Sequence, residues 1–236
     1  MTAGTPEFPT LTPPRAVLFD WDNTLVDNWA TITEAFNVTL TAMGQEPWTV
    51  EEARARVRAS LRDSFPKLFG DRWEEARRIY YDAFAGRHLE TLKPMPGSEP
   101  LLAALQGRGL WTGVVSNKVG KFLRLEVEQL NWQRYFRRVV GAGDATRDKP
   151  ALEPIRLALA GSGIVLGPDV WFVGDTEMDM ECAVAAGCVP VLLHPEPADP
   201  LVYAGKMPVW QGTGCAALAG VVEQLQFPGF RFCDTE

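Results

Sequence analysis

Histidine and cysteine are scarce in this chain of 236 residues, which has two histidines and four cysteines. The cysteines have no CxxC spacing and lie in the last quarter of the chain. We therefore predict free thiols in a reducing compartment, and we do not expect a histidine-rich zinc or non-haem iron site. Any bound metal should have oxygen ligands, which indicates a hard cation such as Mg²⁺.

An excess of basic residues is also lacking, since 23 Lys and Arg stand against 30 Asp and Glu. Nucleic acids and anionic membranes attract positively charged surfaces, so we predict neither as a partner. The chain has no apolar run near the roughly 20 residues that span a bilayer. Its first residues lack the charged and apolar segments of a secretory signal. We expect a cytoplasmic protein with a flexible lead-in at residues 1–14.

Five short apolar runs have the length of strands but no clean two-residue alternation. Such runs are typical of strands covered on both faces, as in a parallel sheet. They lie at 16–19, 111–115, 139–140, 170–173 and 189–193. Helical patterns lie at about 98–108, 119–130, 151–162, 177–186 and 215–226. The pattern predicts an α/β fold with a doubly wound, Rossmann-like parallel sheet.

One long interval breaks this alternation. Residues from about 28 to 93 contain only helix-like segments, such as 50–61 and 73–89, with apolar residues at helical spacing. We predict an inserted all-helical subdomain, the cap, at 28–93. The catalytic core would then comprise 15–27 and 94–236.

Polar residues follow four of the five apolar runs. They are Asp20-Trp21-Asp22, Ser116-Asn117-Lys118, Asp148-Lys149 and Gly174-Asp175-Thr176. Because ligands of doubly wound sheets bind at the carboxyl ends of the strands, we expect these residues to converge at one edge.

The acidic residues at this edge have the pattern of a metal site. Clustered carboxylates repel one another unless a cation neutralises them. Asp20, Asp175 and Asp179 can supply oxygen ligands for one Mg²⁺, with water and substrate phosphate completing its shell. Asp175 and Asp179 are four residues apart at a predicted helix start and so share one face.

The same edge has the groups needed for phosphoryl transfer. Aspartate can act as a nucleophile on phosphorus, and Asp20 stands directly at a strand end. Asp22 can act as general acid and base if burial raises its pKa. Hydroxyl groups, backbone amides and an ammonium group can bind phosphate. The phosphate-binding candidates are Thr24, Ser116, Asn117 and Lys149.

Four motifs, in this order, resemble the signature motifs of the haloacid dehalogenase superfamily. They are Asp20-Trp21-Asp22-Asn23-Thr24-Leu25, Ser116-Asn117-Lys118, Lys149-Pro150 and Gly174-Asp175-Thr176-Glu177-Met178-Asp179. The helical insertion is similar to the C1-type cap of that family, and residues 183–187 resemble its phosphoglycolate phosphatase-like branch. The resemblance covers roughly 15–195. Four ordered motifs are far more specific than one pair of aspartates.

The resemblance implies a role for each motif residue. Asp20 would be the nucleophile and Asp22 the general acid and base. Mg²⁺ would be held by Asp20, the backbone carbonyl oxygen of Asp22 and Asp175, with Asp179 in or next to its shell. The family's dehalogenases usually lack the second aspartate, so Asp22 favours phosphate ester chemistry.

We therefore expect a Mg²⁺-dependent phosphatase that forms an aspartyl-phosphate on Asp20. Its substrate would be a small phosphorylated metabolite, such as phosphoglycolate or a sugar phosphate. One alternative is a phosphotransferase or phosphomutase of the same superfamily, in which an acceptor hydroxyl replaces water. Another is a non-catalytic binding protein on this scaffold, which the intact acidic residues count against.

The predicted cap has its own candidates for recognition. Arg54, Arg58 and Arg62 share a predicted helical stripe, and Arg58, Arg62 or Lys67 could reach an anionic substrate. The interval is also rich in acidic residues, so a salt-bridged solvent face is the favoured alternative. The aromatic residues of the cap are expected in its core rather than against substrate. They are Trp48, Trp73, Tyr80, Tyr81 and Phe84.

Two residues of the first motif need separate interpretation. Asn23 stands where the resembling family usually has glycine. Asparagine tolerates a positive φ better than other non-glycine residues, so we predict a positive φ at Asn23. We interpret Trp21 as a spacer whose backbone matters more than its ring.

Overall fold

The computed structural model describes residues 11–57 and 59–227. The strands are β1 (Ala16–Phe19), β2 (Val26–Asp27), β3 (Lys93–Pro94), β4 (Trp111–Val119), β5 (Arg138–Ala142), β6 (Val170–Gly174), β7 (Val189–Leu193) and β8 (Trp210–Gly212). The helices are α1 (Trp29–Ala42), α2 (Val50–Arg56), α3 (Leu61–Phe69), α4 (Trp73–Ala85), α5 (His88–Thr91), α6 (Ser98–Gly107), α7 (Gly120–Gln129), α8 (Glu153–Ala158), α9 (Glu177–Ala185) and α10 (Cys215–Gln224).

Six strands form a parallel sheet in the order β5-β4-β1-β6-β7-β8. The chain begins the sheet at its middle and winds outward to both edges, as a doubly wound fold requires. The predicted α/β class, with a parallel sheet and an inserted helical cap, is confirmed. The edge strand β8 was not among the predicted strands, because it lies after residue 195, where the sequence pattern is irregular.

Apolar side chains cover both faces of this sheet. On β1, Val17 and Phe19 face a cluster formed with α6, α7 and α10, whereas Ala16 and Leu18 face a second cluster formed with α8 and α9. All four are fully buried. Strands buried on both faces need no polar residue at alternate positions, which explains the continuous apolar runs.

Helices α1–α5 lie between β2 and β3 and have a separate apolar cluster that includes Phe36, Phe65 and Phe84. β2 and β3 pair in antiparallel fashion, with Val26 opposite Pro94 and Asp27 opposite Lys93. The two connections between the cap and the sheet therefore run side by side. The limits 28 and 93 of the cap as a unit stay a prediction.

The predicted helix at 50–61 is wrong, because the chain there forms two helices. α2 ends at Arg56, and Ser60 precedes α3 with its hydroxyl donating to Asp63 at 3.2 Å. The predicted stripe of Arg54, Arg58 and Arg62 on one helix is consequently wrong as well. Arg54 belongs to α2 and Arg62 to α3, while Arg58 lies outside the described residues.

The end of the predicted lead-in packs on the core. Leu11 is buried in the cluster that contains Phe19, and the Thr12 carbonyl accepts a hydrogen bond from Trp171 Nε1 at 3.2 Å. Residues 1–10 of that segment lie outside the described residues.

Cys182, Cys188 and Cys215 are free and buried, whereas Cys233 lies outside the described residues. Within the described ranges, none of the helices combines the length and the apolar character needed to cross a membrane.

Gly97, at the start of α6, tests the packing of α6 on α10. An added Cβ there would lie 2.7 Å from Ala216 N of α10, and its φ is +81°. We expect Gly97→Ala to lower the free energy of unfolding by about 3 kcal/mol, because a positive φ costs about 1 kcal/mol and overpacking adds 1–3 kcal/mol. Urea denaturation measures the change.

Gly44 is the matched control, since its φ is +77° but an added Cβ would meet nothing within 4 Å. Gly44→Ala should therefore cost only about 1 kcal/mol. Equal losses in the two variants would contradict close packing of α6 on α10.

Candidate functional site

The turn after β1 brings two carboxylates to the carboxyl edge of the sheet. The Asp20 amide donates to Val173 O of β6 at 2.8 Å, which fixes Asp20 at the strand end. Asn23 has φ 63°, so the predicted positive φ is confirmed. The turn closes through hydrogen bonds from Asn23 N to Val26 O at 2.6 Å and from Leu25 N to Trp21 O at 2.9 Å.

Lys149 joins two of the predicted acidic residues. Its Nζ lies 2.7 Å from Asp20 Oδ1 and 2.8 Å from Asp179 Oδ1. The Asn117 side chain holds the Lys149 backbone, accepting from its N–H at 3.0 Å and donating to its carbonyl at 3.3 Å. Asn117, a phosphate-binding candidate, thus uses its side chain to position Lys149.

Asp20, Asp175 and Asp179 form a group in which one carboxylate oxygen from each residue lies within 4.8 Å of the other two. Burial raises the pKa of Asp20 to about 6, although Lys149 opposes the shift. Burial, Asp179 and Asp20 raise the pKa of Asp175 well above its ordinary value. Among the described residues, one lysine, Lys149, contacts this group of three carboxylates, so the ionised group has more negative than positive charge. A set of oxygen donors with excess negative charge fits a hard divalent cation such as Mg²⁺.

Asp179 and Thr24 have protein partners at this cluster. Asp179 Oδ1 accepts from Lys149, and Oδ2 accepts from Thr176 N at 3.0 Å and Thr176 Oγ1 at 2.6 Å, which caps α9. The Thr24 hydroxyl donates to Asp175 Oδ1 at 3.0 Å. Thr24 therefore orients an acidic residue here, and its predicted hydroxyl bond to phosphate stays a prediction.

Ser116 lies at the irregular end of β4, where the pairing with β5 shifts between Val115 and Val119. Its side chain borders the same cavity as Asp20 and Lys149, as a phosphate-binding group requires. Its Oγ also accepts from the Lys118 amide at 3.2 Å, which shapes the turn.

A second buried network, which sequence reasoning missed, surrounds Glu126 of α7. Glu126 is fully buried and accepts from Lys118 Nζ at 2.7 and 2.8 Å and from Trp21 Nε1 at 2.6 Å. His88 Nδ1 lies 2.9 Å from its other oxygen. Lys118 Nζ also donates to Asp22 Oδ1 at 2.7 Å, so one ammonium group lies between two carboxylates.

The interpretation of Trp21 as a spacer is wrong, because its ring makes specific contacts. The ring is fully buried, donates to Glu126 and packs edge-on against Trp132 at a centroid distance of 5.8 Å. The available signal was Glu126 itself, a charged residue between apolar positions on the buried face of a predicted helix.

Burial and charge give the members of this network different proton affinities. Burial raises the pKa of Asp22, although Lys118 opposes it. Burial alone would raise the pKa of Glu126, but Lys118 and His88 lower it overall. Burial alone would lower the pKa of Lys118, but Asp22 and Glu126 raise it overall. Asp22 is thus the carboxyl group of this network best able to hold a proton.

A cavity of about 130 Å³ lies between the acidic residues and the cap. On the core side it is bordered by Asp20, Asp22, Asp175, Ser116 and Lys149. The cavity is also bordered by an aromatic wall, which we define as Tyr80, Tyr81 and Phe84 of α4 and Phe122 of α7. Tyr80 and Phe84 belong to the cap core, as expected, but they also border the cavity.

Arg62, a cap candidate for substrate recognition, contacts the core. Its guanidinium lies 2.9 Å from Asp148 Oδ1, one residue before Lys149. The pair joins α3 of the cap to the loop that holds Lys149. Substrate binding by Arg62 or by Arg58 stays a prediction.

Comparisons with known proteins agree with this geometry. A family model described as haloacid dehalogenase-like hydrolase matches residues 17–192. Phosphoglycolate phosphatase 1 of Pseudomonas aeruginosa is 30% identical over 197 residues, which cover 79% of this chain and 71% of that relative. N-acetylmuramic acid 6-phosphate phosphatase of the same organism is 32% identical over 182 residues, which cover 73% of this chain and 78% of that relative.

The fold is also found in solved structures. A haloacid dehalogenase-like hydrolase from Bacteroides fragilis matches with a TM-score of 0.79 over 87% of this chain and 99% of that chain. At 22% identity, this similarity concerns the fold alone. The superfamily predicted from the four motifs is confirmed by the family model and the curated relatives.

Glu126 should be important for stability. We expect Glu126→Ala to lower the free energy of unfolding by about 3–5 kcal/mol, because it leaves the buried Lys118 ammonium with one partner fewer and the Trp21 donor with none. Glu128→Ala is the control, since Glu128 is exposed on the same helix, and it should change stability by no more than about 0.5 kcal/mol. Urea denaturation measures the free energy of unfolding of both variants. Equal losses of that free energy in the two variants would contradict the expected role of Glu126.

Proposed function

The chain belongs to the haloacid dehalogenase-like hydrolase family, and we propose that it is a Mg²⁺-dependent phosphatase that acts through an aspartyl-phosphate on Asp20. The observation that most supports this proposal is the position of Lys149. It is bound to Asp20 beside Asp175, at the end of the central strand, where a phosphate would meet both a nucleophile and positive charge.

In the proposed first step, the Asp20 carboxylate attacks phosphorus and forms a new P–O bond. The bond between phosphorus and the ester oxygen breaks, and Asp22 donates a proton to the departing alcohol. The raised pKa of Asp22 suits this role. Lys149 offsets the negative charge where phosphate and Asp20 meet.

In the proposed second step, water attacks the phosphorus of the aspartyl-phosphate while Asp22 accepts its proton. The P–O bond to Asp20 breaks, which releases inorganic phosphate and restores the carboxylate. Asp22 then holds the proton needed for the next cycle, so one residue serves as acid and base.

Mg²⁺, when bound, supplies positive charge that screens the repulsion between the nucleophile and the anionic substrate. We propose Asp20, the Asp22 carbonyl oxygen and Asp175 as its protein ligands. The hydroxyl of Thr24 donates to Asp175, and Asp179 Oδ1 accepts from Lys149. We propose that Asp179 lies in or next to the metal shell.

We propose a small phosphorylated metabolite as substrate. The two relatives described above are named for different substrates, phosphoglycolate and N-acetylmuramic acid 6-phosphate, so phosphoglycolate and sugar phosphates are the first compounds to test. Addition of sugar acceptors distinguishes hydrolysis from phosphoryl transfer, since a transferase would form a new phosphate ester instead of inorganic phosphate.

We further propose that residues 28–93 act as a cap that covers the site during phosphoryl transfer and opens for product release. The Arg62–Asp148 ion pair supports this proposal, because it joins the cap to the loop of Lys149.

Substitution of Asp20 tests the nucleophile. We expect Asp20→Asn to lower Mg²⁺-dependent release of phosphate from an aryl phosphate at least a thousandfold, because the amide cannot form the covalent intermediate. Asp169→Asn, outside the site in the loop before β6, should retain normal activity and serves as control. Full activity of Asp20→Asn, or none in the wild type, would contradict the proposed mechanism.

Thermal unfolding with Mg²⁺ or with EDTA tests the metal site. A raised folded-state pKa means that Asp20 binds a proton more tightly when folded, so its stabilising contribution is present below pH about 4 and is lost as the pH rises through about 6. Mg²⁺ binds the ionised carboxylates instead. At about 100 times its Kd, it should raise Tm by roughly 5 °C or more at pH 7.5, and by clearly less at pH 5.

Asp175→Asn is the control for this measurement, since it removes one proposed ligand. Its Tm should respond little to Mg²⁺ at either pH. A Mg²⁺ effect of the same size in this variant and in the wild type would show that the ion binds elsewhere.

A further inference from the structure

Packed aromatic rings form the part of the cavity wall that the cap and α7 contribute. Phe122 of the core meets Tyr81 and Phe84 of the cap at centroid distances of 5.6 and 5.4 Å, and Tyr80 stacks on Phe84 at 5.8 Å. Ile32, Val57 and Leu61 continue this apolar surface. The aromatic wall therefore comes from both parts of the molecule and borders the cavity on the side of the cap.

The position of the nucleophile decides which part of a substrate meets this wall. A phosphate must reach Asp20, whose carboxylate lies 2.7 Å from Lys149 Nζ, and Ser116 borders the same cavity. The alcohol part of the ester then extends away from Asp20, towards the cap. It lies against the aromatic wall, where apolar atoms gain contact and lose water.

Charge on the alcohol part is unfavourable at this wall. Among the described residues that border the cavity, the cations are Lys118 and Lys149, and each is already bound to two carboxylates. A carboxylate buried against the rings would lose its water without gaining an ionic partner. The volume of about 130 Å³ accommodates a small alcohol part, since a cavity of about 150 Å³ holds one benzene molecule.

Building on the phosphatase activity proposed above, we infer that the preferred substrates are phosphate monoesters of small, uncharged alcohols with an apolar or aromatic body. Esters with a second anionic group on the alcohol part, as in phosphoglycolate, are the poorer class. Selectivity then comes from contact of the alcohol with the aromatic wall.

A homologous series of alkyl phosphates tests this inference. Methyl, ethyl, propyl and isobutyl phosphate have leaving alcohols of similar acidity, so differences in kcat/KM report contact with the wall. We expect kcat/KM to rise about fourfold for each added carbon until the cavity is filled. Isobutyl phosphate has the shape of phosphoglycolate with methyl groups in place of the carboxylate oxygens, and we expect its kcat/KM to be at least tenfold higher.

Variants of one helix locate the effect. Tyr81→Ala removes part of the aromatic wall and should reduce the gain in kcat/KM to less than twofold per carbon. Trp73→Ala is the matched control, because Trp73 is an aromatic residue of α4 that does not border the cavity. It should keep the wild-type dependence on chain length.

Arg58 needs a separate experiment, because it lies outside the described residues. Its neighbours in the chain, Val57 and Ala59, border the cavity. A wild-type preference for phosphoglycolate that Arg58→Ala abolishes would overturn the inference and identify Arg58 as the partner of the carboxylate. A kcat/KM independent of chain length would overturn it as well. Both outcomes leave the phosphatase in place, whereas release of phosphate from none of these esters would contradict the proposed function.

Discussion

Two buried lysines each bind two of the carboxylates at the carboxyl edge of the sheet. Lys149 lies between Asp20 and Asp179, and Lys118 lies between Asp22 and Glu126. Each aspartate of the first motif thus shares an ammonium group with an acidic residue from a following helix. Buried charges are tolerated only when they are paired. Each of the two ammonium groups therefore fixes the positions of two carboxylates. The turn after β1, the end of β4, the loop after β5 and helices α7 and α9 each contribute a member of these pairings.

The same arrangement determines how the cap meets the core. Asn28, just after β2, donates to Asp22 at 2.7 Å, and His88, shortly before β3, contacts Glu126 at 2.9 Å. Phe122 of α7 packs into the apolar cluster of the cap. Residues at both ends of the cap therefore contact the network that holds the proposed general acid. A change in the position of the cap would therefore alter the contacts of Asp22.

The sequence predicted the parts of this molecule that depend on local pattern. The central strands were predictable because their residues are buried on both faces, and the motif residues were expected to meet because the strand ends of a parallel sheet lie at one edge. The positive φ of Asn23 followed from residue type. β8 was missed because its three residues are only half-buried and it lies at the sheet edge.

Contacts between distant residues could not be predicted in this way. Trp21 and Glu126 are 105 positions apart, and the sequence does not show that one donates to the other. The sequence likewise does not show side-chain rotamers. It could not predict that the Thr24 hydroxyl donates to Asp175, or that both oxygens of Asp179 accept from protein donors. The break between α2 and α3 has neither glycine nor proline to mark it, and so the periodic pattern concealed it.

The pairing of β2 with β3 affects how the helical insertion can be replaced. The chain leaves and rejoins the core at adjacent positions, where Val26 faces Pro94 and Asp27 faces Lys93. This pair is a two-stranded sheet of its own, so the helical insert begins and ends outside the parallel sheet. Long insertions cost little additional closure entropy once their ends are fixed side by side. A graft at this junction would replace Tyr80, Tyr81 and Phe84 of the aromatic wall, whereas Phe122 would stay with the core. It would also have to supply the contacts that Asn28 makes with Asp22 and His88 makes with Glu126.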